Sequence, residues 1–190
     1  MAIRREIPAR VTDEFLVQQL RAGDAAAGDE LIRRHGQALL RYLNRLTGSE
    51  HLAEDLHQQC WLSALQHLDR FNAESSTGGF KAWLFRIATN KAHDLWRSGG
   101  RDKAARQGYS HVIDHEGPAA GVELESSEAA QKLRAAIDQL PENQKQVVLL
   151  RYYSGMKFVE IADLIGCPLN TALGRMHKAV LKLKQVLAEE

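Results

Sequence analysis

Cysteine is almost absent from this chain. Cys60 and Cys167 are the only two, far apart and outside any paired metal-ligand spacing, which fits free thiols in a reducing compartment and gives no disulfide framework. Long apolar runs are missing as well. No stretch approaches the ~20 residues of a membrane span, and Arg4, Arg5 and Glu6 interrupt what would have to be the apolar core of a signal peptide. The expectation is a soluble, cytoplasmic protein without membrane insertion. Strand signals are lacking throughout, with no sustained alternation and few β-branched runs. An excess of one charge is lacking too: the formal net charge of the 190 residues is +1, which is little for a protein that holds nucleic acid unaided. The length suits one medium domain or two small ones with modest cores.

What the chain does have is helical periodicity. Between residues 158 and 187, Ile161, Ala162 and Ile165 give a short helix an apolar side. Gly166 supplies the left-handed conformation that closes it, and Pro168 forbids its continuation. In the helix that starts near Asn170, the residues Leu169, Leu173, Met176, Val180, Leu183 and Leu187 recur at spacings of four, three, four, three and four. They form one stripe, with Thr171, Gly174, Arg175, Lys178 and Lys182 roughly opposite. A short helix, a glycine turn and a longer helix with a basic outer face describe a helix-turn-helix, whose second helix can enter a DNA major groove. An ordinary helical hairpin would show the same stripe.

Upstream, Thr12 is placed to cap a helix through Phe15, Leu16 and Leu20, which Gly23 and Asp24 break. A long amphipathic helix carries Leu31, Leu39, Tyr42, Leu43 and Leu46 and ends at Gly48; Ser49 opens a third through Leu52, Leu56, Cys60 and Leu65. Residues 72–79 are a polar, glycine-ended loop. The helix that follows buries Leu84, Ala88, Ala92 and Leu95, while Arg86, Asn90, His93 and Arg97, at spacings of four, three and four, fall on the other side, flanked by Trp83 and Asp94. Arg, Asn and His beside an aromatic hydrogen-bond to and stack on bases, and with the loop residues Asn72, Ser75 and Ser76 they suit unstacked, single-stranded DNA. A solvated helix face with Trp83 in the core accounts for the same residues equally well.

Charge is arranged in blocks. Residues 81–106 hold seven basic side chains against Asp94 and Asp102, and residues 107–130 hold five acidic ones with no Lys or Arg. Their alternation suggests a basic binding surface followed by an acidic tether. Residues 108–127, with Gly117 and Pro118, lack an apolar period and read as a flexible linker; fully extended, ~20 residues reach roughly 65 Å, so the linker does not fix what lies on either side. The expected architecture is all-α: a domain over 1–106, a linker over 107–127, and a domain over 128–190 that contains the helix-turn-helix. Helical signal resumes near Glu128 with Leu133, Ile137 and Leu140, and Pro141 restarts the chain into Val147, Val148 and Leu150.

Taken together these residues closely resemble the bacterial extracytoplasmic-function sigma factors, the smallest members of the sigma-70 family. Three motifs match in order. Residues 53–62 (AEDLHQQCWL) resemble the helix that docks on the clamp coiled coil of RNA polymerase. Residues 80–90 (FKAWLFRIATN), with Asp94 and Arg97, resemble the helix that melts the promoter and reads its −10 element. Residues 140–187 resemble the region that reads the −35 element as duplex. The resemblance implies a specificity subunit without catalysis or cofactor, whose partners are core RNA polymerase (clamp coiled coil and flap) and promoter DNA, duplex and single-stranded, with room for a separate anti-sigma factor. It assigns polymerase docking to Asp55, Leu56, Gln58 and Trp61, with Asp55 and Gln58 as the exposed polar patch and Leu56 or Trp61 as the apolar anchor. It assigns the −10 element to the loop and α-helical residues named above, and the −35 element to Asn170, Thr171, Gly174, Arg175 and Lys178. The acidic linker would pass near the polymerase active-site channel.

Two departures stand out. Where the family often begins its last helix with Gly-Thr-Val-Lys-Ser-Arg, this sequence has Asn170-Thr171-Ala172-Leu173-Gly174-Arg175. The usual basic residue is Leu173, and Gly174 costs the helix ~1 kcal/mol relative to Ala. Gln59 also replaces the usual Glu of the docking helix, which lowers its charge. Two other function classes fit parts of the pattern: a free-standing helix-turn-helix regulator acting without polymerase, and a metal nuclease on Glu54, Asp55, His57 and Cys60. The second is poor chemistry, since His57 and Cys60 at i, i+3 supply only two ligands and the carboxylates point elsewhere.

Overall fold

The computed structural model describes residues 11–74, 76–103 and 128–188. Their regular structure is helical: α1 (Asp13–Arg21), α2 (Ala25–Thr47), α3 (Glu50–Gln66), a short 3-10 turn (Leu68–Arg70), α4 (Gly79–Lys103), α5 (Glu128–Asp138), α6 (Glu142–Leu149), a π-turn (Leu150–Ser154), α7 (Phe158–Leu164) and α8 (Leu169–Ala188). The all-α expectation is borne out. The expected acidic linker lies outside the described residues.

Local chemistry sets the first boundaries. The Thr12 hydroxyl accepts from Phe15 N–H at 3.3 Å and the Asp24 carboxylate from Ala26 N–H at 3.0 Å, each satisfying a donor that a helix start leaves open. Gly48, at φ +69°, closes α2, and Ser49 caps α3. The apolar faces then meet: Leu16 and Val17 of α1, Leu31, Leu39, Tyr42 and Leu43 of α2, Cys60 of α3, and Phe80, Leu84 and Phe85 of α4 are all buried. The Tyr42 hydroxyl shares a hydrogen bond with Thr89 at 2.8 Å, and burial drives its phenol well above the usual range.

Ion pairs fasten α1 to α2. The Asp13 carboxylate meets His35 at 2.6 Å and Arg34 at 3.0 Å, and Glu30 takes the Arg33 and Arg34 guanidiniums at 2.7 Å. Burial pushes the Asp13 carboxyl up, but hydrogen bonds and charge from His35 and Arg34 together outweigh it and hold the group below its ordinary value. Hydrogen bonds from Arg33 and then Arg34 hold Glu30 at about 2. Both carboxyls are therefore more acidic folded than unfolded, so their contribution is complete above the unfolded values and is lost as pH falls through the folded ones. Asp13→Asn is expected to lower the melting temperature at pH 7 by about 2–4 °C, roughly 1 kcal/mol. The gap should close as the pH falls below 3.8, the ordinary value for this carboxyl. Thermal melts by circular dichroism at both pH values would check it.

The second half does not stand apart. Val147 and Leu149 of α6, Leu150 of the π-turn, Met156, and Ile161 and Leu164 of α7 belong to the same hydrophobic cluster as the residues of α1 to α4. Helix α2 packs against α6 and the π-turn, and α4 against α7. Arg45 of α2 meets Asp138 of α5 at 3.0 Å and donates to the Arg134 carbonyl. A linker that leaves position open is thus overruled by packing: α2 presents an apolar side to α6 as well as to α3.

Helix α8 corrects the expected stripe. Its fully buried residues are Ala172 and Ala179, with Met176 and Leu183 packed partly beneath, whereas Leu169, Leu173 and Leu187 are about 40% exposed (39%, 41% and 43%). Small side chains let α8 approach α6 closely, so the contact line follows the alanines and turns those leucines toward its edge.

Candidate nucleic-acid interface

Three surfaces gather the residues that the sequence singles out. The first is on α4 and the loop before it. Asn72 is exposed and its side-chain oxygen accepts from Glu74 N–H at 2.9 Å, while the Ser76 hydroxyl donates to Gly79 O at 3.2 Å. Gly78 and Gly79 stand at φ +88° and +66°, where a side chain is strained. At Gly78 the space is closed as well, since a Cβ there would lie 2.8 Å from Ala82 Cβ. Ser75 lies outside the described residues. Along the helix, Asn90 and Arg97 are exposed and Arg86 and His93 half-buried, on the side away from buried Leu84, Ala88 and Ala92. Arg97 has Asp94 at 3.7 Å. Trp83 is half-buried, its ring 5.5 Å from Phe71 and 5.8 Å from Phe80, so one side of it belongs to an aromatic cluster and the rest borders the polar row. Arg86 reaches across the molecule to the Asp163 carboxylate of α7 at 2.5 Å.

The second surface is the outside of α3. Asp55 is exposed, with His51 at 3.5 Å, and Gln58 is exposed beside it. Leu56 and Trp61, expected as the apolar anchor, are in the core at 3% and 7% exposure and are not presented at the surface of α3. Ala53, Leu56, Cys60 and Ala64 mark the buried side at spacings of three, four and four, and Trp61 adjoins it. The apolar side chains that face out are Leu52, Leu62 and Leu65, and Leu62, two turns beyond Asp55, is 58% exposed. Leucines off the buried stripe were the signal in the sequence for them. His57 and Trp61 also close inward: the indole N–H points at His57 Nε2, 3.1 Å away, and Gly36 O lies 3.1 Å from the same nitrogen. Burial lowers the His57 pKa and pushes the Cys60 thiol up to about 12. Neither is presented to a metal, and among the described residues no three His, Cys, Asp or Glu side chains converge.

The third surface is the helix-turn-helix. Gly166 at φ +66° turns the chain, and Cys167 N–H returns to Ala162 O at 2.9 Å. Helix α8 then starts with Asn170 and Thr171 exposed. Thr171, Gly174, Arg175 and Lys178 line an open cleft of about 370 Å³ together with Asn143 and Gln144 of α6. A Cβ on Gly174 would meet nothing within 4 Å, so packing does not demand glycine there; it leaves the backbone open to whatever enters the cleft. Asn143 and Gln144 are additions to the expected set, brought in by the crossing of α6 and α8.

Known proteins match this arrangement in the same order. Residues 31–102 match the family model described as Sigma-70 region 2, and residues 130–183 the one described as Sigma-70, region 4. The chain is 33% identical over 172 residues to the ECF RNA polymerase sigma factor SigE of Mycolicibacterium smegmatis, covering 88% of this chain and 65% of that one. It is 28% identical over 180 residues to the ECF RNA polymerase sigma-E factor of Escherichia coli, covering 90% and 91%. Among solved structures, the sigma factor RpoE of Bartonella quintana bound to the anti-sigma factor NepR superposes with a TM-score of 0.73 at 26% identity, over 84% of this chain and 96% of that one. CnrH in complex with the cytosolic domain of CnrY gives 0.67 at 27%, over 94% and 98%.

Proposed function

Because this chain belongs to the sigma-70 family, as one of its extracytoplasmic-function members, we propose that its three surfaces divide the work of transcription initiation: α3 docks on core RNA polymerase, the 72–79 loop and α4 open the promoter and hold the −10 strand, and α8 reads the −35 duplex. The observation that supports it most is the row Arg86, Asn90, His93 and Arg97 on the outer side of α4, next to a loop clamped by two left-handed glycines. Such a row offers hydrogen bonds to base edges and charge to the backbone, and a strand needs both once its bases are unstacked.

On this reading residues 1–106 form the docking and melting part, 107–127 the linker, and 128–190 the −35 part. The exposed Asp55, Gln58 and Leu62 form the docking patch in place of the buried Leu56 and Trp61. Much of the affinity then comes from a protein interface, which is how a chain of net charge +1 acts at promoters. The protein itself performs no catalysis; it positions DNA for the polymerase. One solved relative is bound to an anti-sigma factor, and a partner of that kind is proposed here as well. No described helix is long and apolar enough to cross a membrane.

Co-purification with core RNA polymerase, followed by run-off transcription from a matched promoter, tests the proposal. Tight duplex binding without polymerase, and no stimulation of transcription with it, would favour a free-standing regulator instead. Within the cleft of α8, Arg175→Ala with Lys178→Ala should weaken holoenzyme binding to a promoter that depends on its upstream element by about tenfold. Losing one or two phosphate contacts should also flatten the salt dependence by about 1–2 in log K against log salt. Filter binding across a salt series would read both, and an unchanged slope would move the duplex-reading face elsewhere.

A further inference from the structure

Helix α1 carries none of the residues assigned to docking or to DNA, yet it touches both ends of the 72–79 loop. At the entry, Arg21 Nη2 donates to Leu68 O and to Phe71 O, each at 2.5 Å. These carbonyls belong to the 3-10 turn and to the residue that leaves it, where a short helix runs out of donors of its own. A cation is the partner such an end favours, and hydrogen bonds from a charged donor are about twice as strong as neutral ones. The Asp69 carboxylate, 3.9 Å from Arg21 Nε and 97% exposed, adds little. At the exit, the Glu14 carboxylate lies against the backbone of Gly79, its Oε1 2.6 Å from where a Cβ on that residue would stand. An anion beside the first turn of α4 complements the open N–H groups of its start. Gly79 is the hinge of that exit, since its N–H donates to Ser76 O at 3.1 Å and its carbonyl accepts from the Ser76 hydroxyl at 3.2 Å.

We propose that α1 braces the strand-binding loop: Arg21 and Glu14 are positioning residues that hold its two ends at a set separation, so that Asn72 and Ser76 meet an unstacked base in one arrangement. The inference rests on the reading of this loop and α4 as the −10 strand surface. Glu14 and Arg21 are two turns apart, so they leave the same side of α1 about 10 Å from each other along its axis. The helix is itself fixed, because Leu16 and Val17 are buried and Asp13 holds His35 and Arg34 of α2. Phe71, whose carbonyl Arg21 holds, is buried and packs against Phe80 and Trp83, so the entry is pinned by its backbone and by its ring. Neither positioning side chain needs to touch DNA. A loop released at one end samples shapes that do not fit the base, and apparent affinity falls in proportion to the fraction that does. Discrimination falls with it, because hydrogen bonds to a base edge depend on direction and carry the sequence information that backbone attraction lacks.

Holoenzyme assembled from core RNA polymerase and the full chain tests this. The probe is a fluorescent fork of the matched promoter, duplex through the −35 element and single-stranded over the −10 non-template strand, with each −10 base replaced in turn. Arg21→Met keeps the apolar stem and removes the donors, so it should weaken binding of the unaltered fork at least about fivefold and level the differences among the substituted forks. Arg21→Lys restores a charged donor and should recover most of both. Glu14→Gln removes the anion and should weaken binding about threefold in the same sense. Melting curves of each protein set the assay temperature well below every transition, where lost stability alone leaves the ranking of bases unchanged. Weaker binding with that ranking kept, or no recovery by Arg21→Lys, would overturn the proposal. So would wild-type binding and ranking by Arg21→Met while Asn72→Ala with Ser76→Ala loses both, and the reading of the loop would then stand. If the Asn72 and Ser76 variant is also wild type, the loop reading itself fails and the brace with it. Should Arg21→Met not fold, Glu14→Gln is judged by the same outcomes.

Discussion

Replacing Asp55 by arginine is expected to weaken association with core RNA polymerase by more than about thirtyfold while leaving helical content unchanged. Asp55 is exposed on the outer side of α3 and, among the described residues, its ion pair is with exposed His51, so reversing its charge costs the fold little. In a docked interface the new cation would be desolvated against whatever cation Asp55 meets, and like charges brought together there cost several kcal/mol. Leu62→Asp should behave similarly, because Leu62 is the most exposed apolar side chain on that helix and an apolar anchor carries much of the energy of a small interface. Leu56→Ala gives the contrast. That side chain is 3% exposed, so its loss leaves a cavity worth about 2–5 kcal/mol and should lower the melting temperature without a specific docking defect. Co-purification of the three variants with core, alongside their melting curves, separates the two behaviours. Wild-type recovery of core by Asp55→Arg would remove α3 as the docking surface.

Melting of the promoter should fail in a different way. Asn90 is exposed at the middle of the polar row on α4, and turning a base out of the stack costs a few kcal/mol that must be offset by hydrogen bonds to its edge and attraction of its backbone. Asn90→Ala, or alanines at Ser75, Ser76 and Thr77, should therefore leave docking intact and reduce open-complex formation on duplex promoters by about ten- to a hundredfold, as expected for 1–3 kcal/mol of lost base contact. A promoter already opened by a mismatched bubble should be partly rescued, since the cost of unstacking has then been met beforehand. Permanganate reactivity of unpaired thymines would decide it. Wild-type reactivity on duplex promoters with both variants would return the outer side of α4 to an ordinary solvated face.

Most helix boundaries are legible in the amino-acid sequence, because they depend on neighbours in the chain. Thr12, Asp24 and Ser49 cap helices with their own side chains, and Gly48 and Gly166 close them by a backbone conformation open to few other residues. The outward row of α4 is legible for the same reason: a period of 3.6 puts Arg86, Asn90, His93 and Arg97 on one side whatever surrounds them. Spacing does not say which of two plausible stripes a helix buries. On α8 the leucines look like the better core, yet Ala172 and Ala179 are the buried residues, since close approach of α6 favours small side chains along the contact line. On α3, Leu56 and Trp61 read as anchors and are in fact interior, because α2 covers that side.

By itself, then, the chain determined an all-helical protein, its turns, the helix-turn-helix and the polar side of α4, all of which follow from hydrogen bonds and periodicities spanning a few residues. Only the tertiary structure decided that the two halves share one core, that Arg86 is held by Asp163 and Gly78 faces Glu160, and that Asn143 and Gln144 join the α8 cleft. Those contacts join residues dozens of positions apart, where no local pattern specifies a partner. Their selection rests on how much apolar surface each packing removes from water, a property of whole faces rather than of any stretch of sequence.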